Sequence, residues 1–145
     1  MSDPRNAVSF EGIGFEAETF VHDATIVYNS ALAGGSAQVG LAVTNEGSQT
    51  VSLVGDGENI LGKLIKVEQD GKCVVQTGGF VTLPGGDGAT LTEGTKIVGD
   101  LGVGSAEGYI RSVATATAAE LGVARGQIID SSTATAVVVR LESAT

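Results

Sequence analysis

The clearest pattern in the chain is a two-residue alternation of apolar and polar positions, broken at short intervals by glycine. Between residues 63 and 76, Ile65 and Val67 point one way while Lys66 and Glu68 point the other. Asp70-Gly71 then supplies turn residues tolerant of positive φ, and Cys73 and Val75 resume the alternation, which predicts a β-hairpin. The same period runs through Ala37, Val39, Leu41 and Val43 and through Val51 and Leu53, each predicting a half-buried strand. Thr25–Tyr28, Phe80–Leu83, Thr95–Val98 and Tyr109–Val113 are further short apolar or β-branched runs that read as strands. A closing hairpin is expected from Gln127–Asp130 and Ala136–Leu141 around Ser131-Ser132-Thr133. Only Ala116–Leu121 has helical composition, with Gly122 expected as its C-cap. Strands at this spacing, without intervening helices, predict a mainly β domain: a small barrel or sandwich with one short helix. In this register Ile65, Val67, Val75, Val137 and Val139 are expected to be buried.

The N-terminal region has a different texture. Residues 1–23 carry Phe10, Ile13, Phe15 and Phe20 at irregular intervals among acids, and are read as an arm preceding a single β domain over 24–145. Two compatible readings apply. Phe15, Ala17, Thr19 and Val21 alternate with Glu16 and Glu18, which suits a first strand; the apolar side chains also suit an arm that docks on a neighbour, with Phe10, Ile13, Phe15 and Phe20 as candidate partner contacts. No basic stretch followed by an apolar block opens the chain, and no window is apolar enough to span a bilayer, so a protein folded in a reducing cytoplasm is expected.

Composition narrows the function. The 145 residues hold 17 Asp and Glu against 8 Lys and Arg, a net charge of −9, which argues against nucleic-acid or anionic-membrane binding as the main role. One cysteine, Cys73, allows no internal disulfide, and with one histidine, His22, it makes no zinc cluster. A Ser-His-Asp set would need His22, yet the chain lacks a Gly-x-Ser-x-Gly elbow; Cys73 reads as a small core residue. Gly85-Gly86-Asp87-Gly88 starts like a calcium-binding repeat but has no second copy, and reads as a flexible loop. Gly99–Gly104 matches no phosphate-binding fingerprint, and Lys72 lacks the neighbours of a carrier-domain lysine. No enzyme chemistry, cofactor or metal is therefore expected, and the profile is that of a protein whose function is contact.

From Gly57 to Leu141 the order of features resembles the capsid decoration, or cement, proteins of tailed bacteriophages. The resemblance runs through Ile60-Leu61-Gly62-Lys63-Leu64, then Val67 to Gln76 with its Asp70-Gly71 turn, then Gly79-Phe80-Val81-Thr82-Leu83. It continues through the glycine-rich loop, Leu91-Thr92-Glu93-Gly94, the alanine-rich turn and the valine-rich ending from Gly126 to Leu141. It implies a β-barrel-like domain on the outer capsid surface of a virion, made in the host cytoplasm. The implied partners are the major capsid protein and further copies of itself, as homotrimers at threefold positions of the expanded shell. Such proteins also tend to reach adjacent coat subunits with an N-terminal arm or an added strand, a role residues 1–23 would fill. A different β-fold binding module, such as a tail, fibre or adhesin domain, is the alternative.

Overall fold

The computed structural model describes residues 16–114 and 118–141. It is mainly β, 44% strand and 10% helix. Five strands close a barrel: β1 (Glu16–His22), β2 (Ala42–Gly47), β3 (Thr50–Leu53), β4 (Gly62–Val67) and β5 (Lys72–Leu83). Their order is β1-β3-β2-β4-β5, and β5 pairs back onto β1. Closure joins two different pairings. β1 runs antiparallel to β5 from Glu16 opposite Gly78 to Val21 opposite Lys72. Its last residues lie parallel to β3, Val21 beside Thr50 and His22 beside Val51. A closed ring shelters the strand edges that an open sheet would present.

β5 belongs to two sheets. Up to Gly78 it pairs with barrel strands, and from Gly79 opposite Leu141 to Leu83 opposite Val137 it pairs with β9 (Val137–Leu141). Gly79 has φ +91°, a value that bends the strand at the hand-over and that favours glycine. β8 (Gln127–Asp130) adds to β9, completing the closing hairpin. A separate hairpin, β6 (Ile97–Asp100) with β7 (Tyr109–Ser112), is stitched on by backbone bonds, Ile97 and Arg125 each donating to the other's carbonyl at 3.0 and 3.2 Å. The short helix α1 (Ala118–Val123) follows β7 and buries no residue.

Two hydrophobic cores result. The barrel interior holds Ile26, Val43, Val51, Leu53, Leu64, Val67, Cys73 and Val75. A second core under the β5–β9–β8 sheet and the β6–β7 hairpin holds Val54, Ile60, Val81, Leu83, Ile97, Ile110, Ile128, Val137, Val139 and Leu141. β2 feeds both: Ala42 enters the second core and its neighbour Val43 the first. Successive side chains point to opposite faces of a strand, so one strand between two cores is apolar on both.

Several sequence expectations need correction. Val67, Val75, Val137 and Val139 are buried as expected, but Ile65 is only half-buried and Leu64 takes its place in the core. Leu64 opposes Val75 and Lys66 opposes Val74, so Ile65 is the extra residue of a β-bulge that shifts the alternation by one. Thr25–Tyr28 is not a strand: Asp23 Oδ1 accepts both the backbone N–H and the hydroxyl of Thr25, and this side-chain turn competes with sheet pairing. The strand expected from residue 37 starts at Ala42, because 37–40 turn and Gly40 sits at φ +97°. Phe80–Leu83 is the second half of β5 rather than a separate strand. Gly122 lies inside α1 rather than capping it. The turn after β4 uses a single positive-φ residue, Gly71 at +86°, with Glu68 N–H donating to Lys72 O at 2.8 Å across a three-residue loop.

Candidate interaction surface

His22, Cys73 and Lys72, the residues weighed for chemistry, all lie on β1 or β5. His22 ends β1 with Nδ1 3.0 Å from the Asp23 carbonyl, and its Nε2 is buried with no hydrogen-bond partner. Cys73 is fully buried, and burial pushes its thiol up to about 11, far from a reactive thiolate. Lys72 is the exposed first residue of β5, beside the hairpin turn. Among the described residues no cluster of three His, Cys, Asp or Glu is arranged to hold a metal.

The glycine-rich stretches are packing devices. A Cβ on Gly99 would lie 2.2 Å from the Gly55 carbonyl oxygen, so glycine there permits close backbone approach. The Gly85–Gly88 segment, read as a flexible loop, is instead tied down at its base. Gly85, Gly86 and Asp87 N–H groups donate to the Ala134, Ile110 and Leu101 carbonyls at 2.8–2.9 Å. A Cβ on Gly86 would strike the Asp100 carboxylate.

Two arginines organise the interior edges. Arg125 reaches back across the molecule and donates to the Leu61 carbonyl at 2.7 Å and the Thr77 carbonyl at 3.1 Å, linking the barrel to the second sheet. Arg111, on β7, meets three carboxylates. Glu120 of α1 accepts from it through both oxygens, Asp56 Oδ1 lies 3.2 Å from Nε, and Asp100 Oδ1 lies 3.9 Å away. The Glu120 hydrogen bond raises Arg111 further above its usual value and holds the Glu120 carboxyl below its own. Burial pushes Asp100 upward, with Asp56 adding to it. A cavity of about 610 Å³ opens beside Arg111, between Asp87–Thr90 and Ser112–Ala114. With its guanidinium satisfied from within, Arg111 presents no free cation to that cavity, so the cluster reads as a fastening for α1.

What the surface does offer is apolar contact. Of the seven large hydrophobics exposed among the described residues, Val27, Tyr28 and Leu32 fall in one short segment, at 58%, 37% and 41%. Val103 stands 81% exposed on a loop braced by the Tyr109 ring, which a Cβ on Gly102 would overlap. Residues 23–41, which carry the first group, contain only a single 3₁₀ turn between β1 and β2. A connection that long without regular structure is commonly a binding element.

Phe20, a candidate contact, is half-buried on β1, packed against the barrel core. Phe10, Ile13 and Phe15 lie outside the described residues. Sequence reasoning missed Val27 and Tyr28 as surface, because their β-branched and aromatic composition imitates a strand, and it singled out nothing at Leu32. Absence of alternation from residue 23 to 36 and the Gly34-Gly35 pair were the available signals. It also missed Arg111 with Glu120, whose spacing carries no motif. Compared with protein-family models, curated proteins and solved structures, the chain matches none of them.

Proposed function

We propose that this protein decorates the outer surface of an expanded phage capsid, bridging neighbouring major capsid subunits and stabilising the shell. The observation that carries the reading is a closed β barrel that exposes an apolar group, Val27, Tyr28 and Leu32, on one long connection. The order of features from Gly57 to Leu141 supports it. Phe10, Ile13 and Phe15 are the contact residues of the arm in this reading, with threefold positions as the place where copies gather.

The energetics of the role are simple. A ligand that binds the mature lattice and not its precursor stabilises the mature state by its binding free energy. Bridging two or three subunits gains affinity through effective concentration, without any single strong contact. A net charge of −9 keeps unbound copies apart before they bind.

Adding the purified protein to undecorated expanded heads tests this directly. The temperature at which the heads release their DNA should rise with added protein and level off at saturation. Heads that rupture at an unchanged temperature, at every concentration of added protein, would overturn the reading.

A further inference from the structure

We infer that the pocket between Lys96 and Arg140 binds a compact tetrahedral oxyanion of the phosphate class. The inference goes beyond the capsid reading and does not depend on it.

The pocket, of about 220 Å³, is lined by Gly94, Lys96, Gly126, Gln127 and Arg140. Cations are scarce in this chain, 8 Lys and Arg against 17 Asp and Glu, yet two of them share this lining and no carboxylate joins them. The larger cavity beside Arg111 is the contrast, because Asp87 and Asp100 line it together with the arginine. Among the described residues, neither the Lys96 nor the Arg140 side chain has an ion-pair partner. The acids nearest in the chain, Glu93 and Asp130, are engaged at the far end of β8, where they accept from Ser131 N–H and Ser132 N–H.

The backbone positions the three polar side chains before any ligand arrives. Gln127 of β8 stands opposite Arg140 of β9, so both leave the same face of the sheet. Their strand neighbours Ile128 and Val139 are buried, which turns Gln127 and Arg140 outward. Along the other edge of β8, Gly94 N–H donates to Ile128 O and Ile128 N–H to Thr95 O, at 2.8 and 2.9 Å. With the Ile97–Arg125 bonds, these hold the segment that carries Lys96 beside the strand. Gln127 Nε2 donates to Gly94 O at 3.3 Å and keeps a second N–H for a ligand. Gly126 has φ +69°, and a Cβ there would lie 2.9 Å from the Arg140 carbonyl oxygen, so this part of the lining requires glycine.

Chemistry selects the ligand. Two positive charges with no acid between them attract an anion and repel a metal ion. The pocket is smaller than the roughly 300–1,000 Å³ that takes a drug-sized molecule, which suits one compact ion. A polyanion would extend beyond the pocket into the field of a chain with net charge −9. Donors from three separate backbone segments match the spread oxygens of a tetrahedral ion better than the paired oxygens of a carboxylate, and arginine and lysine both serve phosphoryl oxygens. Free phosphate and the phosphomonoester of a small molecule present this same group.

Titration of the full-length protein with inorganic phosphate, followed by amide chemical shifts, tests this. It is repeated with glycerol phosphate and with chloride at matched ionic strength. Saturable shifts at Gly94, Lys96, Gly126, Gln127 and Arg140 are expected in the millimolar range. K96A and R140A should each weaken binding roughly tenfold, the loss expected for one charged hydrogen bond. K66A, which removes an exposed lysine on β4, should leave binding unchanged, and the spectra report that each variant is folded. Saturation by glycerol phosphate as well as phosphate assigns the phosphoryl group of a small molecule; saturation by phosphate alone assigns the free ion. Shifts that never saturate, or that chloride reproduces, would overturn the inference. So would binding untouched by K96A and R140A, or weakened equally by K66A.

Discussion

Glu120 grips Arg111 with both carboxylate oxygens, Nη1 to Oε1 at 2.7 Å and Nη2 to Oε2 at 2.9 Å, and Oε1 also accepts from Ala114 N–H at 3.3 Å. Since α1 buries no side chain of its own, this clamp and the bond from Asn59 Nδ2 to Val123 O at 2.6 Å are its principal fastenings. E120Q should therefore speed amide hydrogen exchange across Ala118–Val123 while the barrel strands keep their protection. Exchange measured segment by segment checks this; uniform loosening of the whole domain would contradict it.

The same clamp carries a pH dependence. The Glu120 carboxyl is held below its ordinary value of 4.5 by Arg111, so its stabilisation is complete above that value. It is lost as the pH falls through the depressed folded-state value. Asp100, raised by burial above its ordinary 3.8, acts in the opposite sense: its contribution is present below 3.8 and lost as the pH rises through the raised value. On acid titration, α1 exchange should accelerate before that of the barrel, and the difference should vanish in E120Q.

Arg125 should matter more to global stability. Its guanidinium satisfies the carbonyls of Leu61 and Thr77, both on the barrel side of the junction, while Arg125 itself leads into β8 of the second sheet. R125A strands those carbonyls at a cost of about 1–3 kcal/mol in urea unfolding, and R125K should recover only part of it.

Two glycines give opposite expectations. A Cβ on Gly62 would lie 2.0 Å from the Gln76 carbonyl oxygen across the β4–β5 ladder, so G62A should destabilise by about 1–3 kcal/mol or more. Gly122 has open space around it within α1, and G122A should stabilise by roughly 0.5–1 kcal/mol. Paired thermal melts check both signs.

The β2–β3 turn stores strain of its own. Ser48 and Gln49 are its two central residues, at φ +49° and +63°, values that asparagine and glycine adopt more readily. Replacing them by Asn-Gly should stabilise the barrel by about 1 kcal/mol in chemical denaturation, with no change in the slope of the transition.

Local features of this fold were legible in the sequence, and long-range ones were not. The β4–β5 and β8–β9 hairpins were readable because their alternation and their turns sit within a few residues of each other. The β2–β3 turn was not, since Ser48-Gln49 carries neither glycine nor asparagine. Barrel closure depends on Val21 and His22 lying parallel to Thr50 and Val51, a pairing that no local pattern encodes. Ile65 and Leu64 exchanged roles because one bulge inverts the faces of everything after it. Ala42 and Val43 defeat a one-faced strand reading because each side of β2 has its own core. The surface was harder still: Val27 and Tyr28 have the composition of a strand, and the Asp23 side-chain turn before them diverts the backbone from sheet pairing. Arg111 and Glu120, nine residues apart, meet because β7 leads toward α1, which spacing alone does not reveal.

The central claim is tested most directly by co-sedimentation of the purified protein with undecorated phage heads, expanded and unexpanded, over a concentration series. Saturable binding to expanded heads alone, at a stoichiometry matching the threefold positions, is the predicted result. Binding to neither form, or equal binding to both, would contradict the account.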